Sequence, residues 1–368
     1  MTQLIQIKGD HPLAGPPANG LFSIPVRTPQ SDGLTMPAEW ETHDACWMVW
    51  PCSEECFKGV LPEAKQTYAQ VARAIADFEK VFMLVNPGQK KEAQNLCGSA
   101  VTLVDATCFD SWARDSGPTF VRDDKGKVAG IDWVFNGWGH HPLTGPCDET
   151  MATQILRRLA MRRYVAPFIL EGGSIHVDGQ GTLITTEQCL LDPKRNAGFT
   201  KADFENLFRT YLGIEKVLWL ANGLEGDETT GHVDILATFA RPGLILINSC
   251  TDPGDANFAV TEDAKKRLTD AVDASGNAIE IREIPQPERQ DWKGERMDLS
   301  YINFYMPNGA VIMSAFNDPA DDQAKQMIQD IFPDRTVIQI PNKPLFAGGG
   351  GIHCITQQQP AGTALPPF

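Results

Sequence analysis

The sequence predicts one α/β domain built from five similar units that close into a ring, and three observations carry that prediction. A helix, a short β-rich strand and a hairpin recur in that order from Met36 onward. The last unit ends without a return strand of its own, and CWMVWP at 46–51 can supply one from the start of the chain. Repeated units cannot bury their apolar faces singly, so they pack side by side, and a ring also removes exposed sheet edges.

The first 35 residues are rich in Pro and Gly and lack periodicity, so 1–35 reads as an arm ahead of a single domain over 36–368. Amphipathic spacing then predicts helices at 62–80, 148–164, 201–213, 261–274 and 320–332. Each is followed by a strand rich in β-branched or aromatic residues, at 81–86, 168–173, 217–222, 278–284 and 337–340. Hairpins are expected at DDKG (123–126), DGQG (178–181), RPG (241–243) and PNG (307–309), because Gly, Pro, Asn and Asp supply the dihedrals that tight turns need. A further helix–strand pair near 89–106 decorates the first unit, and IHCIT (352–356) is expected to be the last strand.

Bulk properties narrow the function. Hydrophobic residues make up 42% and charged residues 21% of the 368, enough apolar material for a sizeable core. No apolar run approaches the roughly 18 residues of a membrane span. The opening MTQLIQIKGDHPLAGPP lacks the basic head and apolar centre of a secretion signal. Nine scattered cysteines, with no CxxC, fit a reducing, cytoplasmic location better than a disulfide framework. A formal charge of −15 disfavours nucleic acid or an anionic membrane as partner and suits a small cationic substrate.

The repeat also aligns reactive side chains. Asp115 and Glu171 each stand eight residues before their hairpin turn and His232 nine, while Cys354 sits in the corresponding part of the last unit. Equivalent offsets place these groups at one level, near the axis. Taken alone, Asp115 in WARDSGPTF also reads as a helix cap. In GDETTGHVDI, His232 and Asp234 are two apart and share one face if the segment is a strand. By the same rule His353 and Cys354 face opposite sides, so the partner expected for a Cys354 thiolate is His232. The other HVD, at His176, is expected to be solvated or structural near a hairpin tip. Converging carboxylates would raise a thiol pKa unless a cation arrives with the substrate, and paired carboxylates suit a planar guanidinium. His232, Asp234, Asp115 and Glu171 could also ligate a metal, although no HExxH or clustered Cys/His spacing supports that reading.

MPAEWETHDACWMVWP, WARDSGPTF, IDWVFN, LEGGSIHVDGQGTLITTEQCLL, GDETTGHVD, INFY and GGGGIHCITQQQP together resemble the agmatine deiminases of the guanidino-group-modifying (pentein) superfamily, from about Met36 to Pro360. The resemblance implies a five-bladed pseudo-symmetric α/β propeller of ββαβ units. It also implies metal- and cofactor-free hydrolysis of agmatine to N-carbamoylputrescine and ammonia, a step toward putrescine in polyamine biosynthesis. Carried over by motif, Cys354 is the nucleophile that forms a covalent S-amidino intermediate. His232 is the general acid and base, Asp115, Glu171 and Asp234 hold the guanidinium, and Trp112 and Glu228 lie near the rest of the substrate.

Five positions depart from the family pattern: Thr230, Ile235 and Gly351, expected near the tail of the substrate, and His140 and His141, which read equally as surface loop residues or as part of the rim of the site. Another guanidino substrate, such as arginine or peptidyl-arginine, therefore stays open, as does an amidinotransferase. A non-catalytic cation-binding protein would have no need of Cys354. Association with further copies of the chain, and the role of the arm, are left open.

Overall fold

A computed structural model describes residues 4–6, 21–23, 27–140, 145 and 147–368. Most of the expected arm, and His141, lie outside the described residues. Five units follow one another, each an antiparallel pair, a crossover helix and a third strand running parallel to the second. Each unit thus joins a hairpin to a βαβ crossover.

In the first unit His43–Val49 pairs antiparallel with Gln357–Pro360 and parallel with Lys80–Val85, joined by helix Leu61–Ala76. Helix Lys90–Cys97 and strand Val101–Asp105 add the expected decoration. The second unit pairs Thr119–Arg122 with Lys127–Val134 and returns through helix Met151–Arg158 to Arg163–Ile169. The third uses Ile175–Val177, Thr182–Thr186, helix Lys201–Leu212 and Lys216–Leu220. The fourth uses Ala237–Arg241, Leu244–Ser249, helix Ala256–Thr269 and Glu280–Pro285. In the fifth, a single bridge between Tyr305 and Ile312 replaces the hairpin ladder, followed by Ala310–Ala315, helix Asp321–Ile331 and Thr336–Pro341.

Local chemistry explains these elements. Thr200 and Asp203 form a reciprocal capping box at the start of Lys201–Leu212, whose buried Phe204, Leu207, Phe208 and Tyr211 follow helical spacing onto the core. Leu244–Ser249 lies between two strands and is buried throughout, which accounts for its unbroken apolar run. Among the described residues no helix is long and apolar enough to cross a membrane.

Several expectations change, and the strand expected at 168–173 runs earlier, over Arg163–Ile169, with Gly172–Ser174 a turn. Helix 148–164 shrinks to Met151–Arg158, because the Asp148 carboxylate accepts N–H bonds from Phe109, Asp110 and Gly145 and ties down the preceding turn. Helix 261–274 shifts to Ala256–Thr269, because Asp255 caps it by accepting the Asn257 N–H (2.8 Å). IHCIT is a turn and not a strand; the chain's two ends do meet, but through Gln357–Pro360 on His43–Val49. Each sheet of the described residues is open, so the ring is not a closed sheet.

Candidate active site

The chemistry-bearing residues sit in the short turns that precede the first strand of each unit. Asp115 lies in Ala113–Ser116 before Thr119–Arg122, and Glu171 precedes the turn Gly172–Ser174 before Ile175–Val177. His232 caps the turn Val233–Ile235, which carries Asp234, before Ala237–Arg241. Cys354 precedes Gln357–Pro360, and Asn303 holds the matching place ahead of Tyr305 in the fifth unit. All five units thus supply one group each, four of them at the offsets expected and Asn303 in addition, from turns and not from strands.

Gly173 shows how closely they converge. A Cβ there would lie 2.5 Å from His232 Nδ1 and 3.1 Å from both Asp115 Oδ1 and Asp234 Oδ2. Only glycine fits, and its N–H donates to Asp115 Oδ1 (2.9 Å). The other Asp115 oxygen accepts from Trp138 Nε1 (2.9 Å). Trp138 is itself in the left-handed region (φ 52), a conformation bulky residues rarely adopt outside constrained sites.

Cys354 is buried, its Sγ 3.6 Å from Asp234 Oδ2 and 3.4 Å from Asn303 Nδ2. Burial, then the charges of Asp234 and Asp115, pushes its thiol well above the usual value. Burial opposes a charge on His232, yet Asp115, with Cys189 and Glu171 behind it, raises that imidazole well above 6.5. Its Nδ1 is 4.0 Å from Asp115 Oδ2 and its Nε2 3.8 Å from Glu171 Oε2. Burial likewise raises Asp115, against the pull of His232.

Asp234 and His353 are the least expected pair. His353 Nδ1 is 2.7 Å from Asp234 Oδ2 and its Nε2 2.8 Å from Glu39 Oε2. Arg114, buried beside Glu39 at 3.6 Å, donates from Nε to the His353 carbonyl (3.3 Å). His353 and Cys354 therefore meet the same carboxylate, because the segment turns where a strand would have separated them. Burial opposes ionisation of Asp234, but the His353 bond lowers its pKa. Asp234 Oδ1 is buried with no hydrogen-bond partner among the described residues.

Glu171 differs from expectation. Arg195 Nε donates to both its oxygens (2.9 and 3.0 Å), and neither side chain is exposed. Burial alone would raise this carboxyl; Arg195, helped by His232, brings it down to about 2. Its place is behind His232, with its charge already matched by a guanidinium of the chain.

A cleft of about 470 Å³ opens beside Cys354 and is lined by Asp115, Trp112, Trp138, Glu228, Thr229 and the glycines Gly348 and Gly349, among others. The glycine run is set by close approach. Added Cβ atoms would meet Phe57 at 2.7 Å from Gly348, Trp112 at 2.7 Å from Gly350 and Asn303 Oδ1 at 2.2 Å from Gly351. Three of the departures, Thr230, Ile235 and Gly351, do not line the cleft as expected. Thr230 accepts from Arg195 Nη1 (2.8 Å), Ile235 is core, and Gly351 abuts Asn303 and Phe346. For His141 no structural statement applies, as it lies outside the described residues.

His176 is structural but not solvated. It is buried, with Nε2 2.9 Å from Thr238 Oγ1 and the Phe239 N–H donating to Nδ1 (3.3 Å). Donor atoms close enough to share one ion occur in Glu39, His176 and His353, and in Glu171, Cys189 and His232. In both groups the carboxylate already serves a basic partner, His353 with Arg114 or Arg195. Sequence reasoning missed Glu39, Asn303, Arg195 and Trp138; only Asn303 carried a signal, its matching place in the fifth unit.

The profile of the Porphyromonas-type peptidyl-arginine deiminases matches residues 35–360. The agmatine deiminase of Pseudomonas aeruginosa LESB58 is 41% identical over 364 residues, covering 92% of this chain and 99% of that one. The solved agmatine deiminase of Enterococcus faecalis superposes with a TM-score of 0.88 at 34% identity, over 92% of this chain and 99% of the other. A DDAH structure from Pseudomonas aeruginosa is similar in fold alone, with a TM-score of 0.50 at 13% identity over 86% of this chain and 99% of that one.

Proposed function

The chain belongs to the Porphyromonas-type peptidyl-arginine deiminase family, and from that premise we propose that it hydrolyses agmatine to N-carbamoylputrescine and ammonia. One observation carries this reading most. Beside the Cys354 thiol, the buried carboxylates Asp115 and Asp234 converge and call for positive charge, and Asp234 Oδ1 has no hydrogen-bond donor among the described residues. A planar guanidinium supplies that charge and those N–H donors. Trp112 and Glu228 then flank the aliphatic tail and its ammonium within the cleft.

The substrate's charge drives loss of the Cys354 proton to solvent, and the thiolate attacks the guanidinium carbon to give a neutral tetrahedral adduct. His232, held as imidazolium, protonates the departing nitrogen, and ammonia leaves a thiouronium on Cys354. The neutral imidazole next takes a proton from water, and the hydroxide adds to the same carbon. Collapse expels the thiolate, leaves the ureido product and passes one proton to ammonia. Such acid–base assistance is typically worth roughly 10² to 10⁴ in rate. Glu171, saturated by Arg195, orients His232 and does not grip the substrate.

We read residues 36–368 as one catalytic domain with its five units around a common axis. The pairing of the chain's two ends and a site drawn from all five units support that reading. All nine cysteines are free, in keeping with a reducing compartment such as the cytoplasm. An ammonia-release screen over agmatine, arginine and peptidyl-arginine tests the activity: agmatine should be turned over fastest, and release from none of them would overturn it.

A further inference from the structure

The cation at the mouth of the cleft is the chain's own. Lys58 Nζ pairs with Glu228 Oε1 and also reaches Glu295 Oε2 at 3.1 Å. Glu228 lines the main cleft, and it also lines a smaller adjoining one with Lys58 and Glu295. Lys58 is held in the left-handed region (φ 47), on the turn between Cys56 and the helix that begins at Leu61. Its side chain is only 23% exposed, whereas that of Glu295 is 72% exposed.

We propose that Lys58 is a specificity-determining residue, an internal ammonium that occupies Glu228 until a cationic substrate tail displaces it onto Glu295. This rests on the agmatine reading above, in which the tail's ammonium seeks Glu228. Two ammonium groups cannot share one carboxylate without repulsion, so the tail must compete with Lys58. Glu295 makes that exchange easy, because it gives the displaced Lys58 a second carboxylate in water. A substrate with a carboxylate on its tail meets the opposite field: Glu228 repels it and Lys58 attracts it. Lys58 thus narrows the preference for cationic over zwitterionic guanidines.

Half-exposed pairs of this kind contribute little, so the effect is a few-fold and shows mainly in KM. The experiment compares wild type, Lys58→Met, Glu295→Gln and the double variant on agmatine and on arginine at low salt. Lys58→Met should lower the KM for agmatine about two- to fivefold with kcat unchanged, and lower kcat/KM for arginine. Glu295→Gln should raise the KM for agmatine, and that rise should vanish in the double variant, since no displaced lysine remains. An unchanged KM for agmatine in Lys58→Met, with wild-type turnover intact, overturns the role of Lys58. Absence of wild-type turnover would instead remove the agmatine reading itself.

Discussion

Asp234 Oδ2 lies 2.7 Å from His353 Nδ1, on the far side of that imidazole from Glu39. The imidazole is thus clamped between two buried carboxylates, which raise its pKa against the effects of burial and Arg114. A charged hydrogen bond here is worth about 1.5–3 kcal/mol. His353→Gln should therefore lower kcat/KM roughly 10- to 100-fold. Loss of the imidazolium also raises the Asp234 pKa, so the acid limb of the kcat/KM profile should move to higher pH. A purely structural role would lower the profile without moving that limb.

Arg195 and Glu171 form the most deeply buried ion pair of the site. Arg195→Met leaves a lone carboxylate in the interior and should destabilise the protein by about 3–5 kcal/mol in urea unfolding near neutral pH. Adding Glu171→Gln should recover most of that loss. Because the folded pKa of Glu171 is depressed to about 2, the pair's stabilisation is complete above the ordinary value of 4.5. It fades as the pH falls toward 2, so wild type and variant should converge in acid.

His232 and Cys354 both have raised pKa values, for opposite physical reasons. His232 is raised by carboxylates that favour its charge, so it is the acid form that persists above pH 6.5. Its contribution to stability is fully present below that value and is lost as pH rises through the raised one. The alkaline limb of kcat should follow the same titration. Cys354 rests as a thiol, so in the substrate-free protein its alkylation by iodoacetamide should be slow near neutrality and accelerate only above about pH 9. Peptide mapping over the nine cysteines reads this directly.

Gly351 leaves no room for a side chain. A Cβ would lie 2.2 Å from Asn303 Oδ1 and 2.7 Å from Phe346 Cζ. Asn303 in turn touches Cys354 Sγ. Gly351→Asn should cost about 1–3 kcal/mol of stability through overpacking. It should also lower kcat more than it changes KM, since the displaced neighbour touches the nucleophile; thermal melts and steady-state kinetics would check both.

Much of the fold was legible because turn residues and helical spacing are local signals. The hairpin near Asp123–Gly126 and the helix ending at Leu212 needed nothing from afar. Helix Ala256–Thr269 was misplaced because its Asp255 cap looks like loop. Cys354, His232 and Asp115 were legible from the repeat and Asp234 from its spacing to His232, and the four converge around Gly173 and Asp234. His353 was misassigned because strand parity was applied to a turn. Glu39 and Arg195 reach the site only across the fold, from 314 and 24 residues away along the chain from His353 and Glu171. No local pattern announces such partners.

The central claim is that Cys354 carries the reacting carbon of agmatine. Intact-mass spectrometry of the protein, acid-quenched during turnover of agmatine, tests it most directly, since acid traps the thiouronium before water adds. The predicted result is a gain equal to agmatine less ammonia, mapped to Cys354 and absent from the Cys354→Ala protein. A gain of the amidino group without the aliphatic tail would mark an amidinotransferase. Unmodified Cys354 in protein quenched while it releases ammonia would contradict the covalent account.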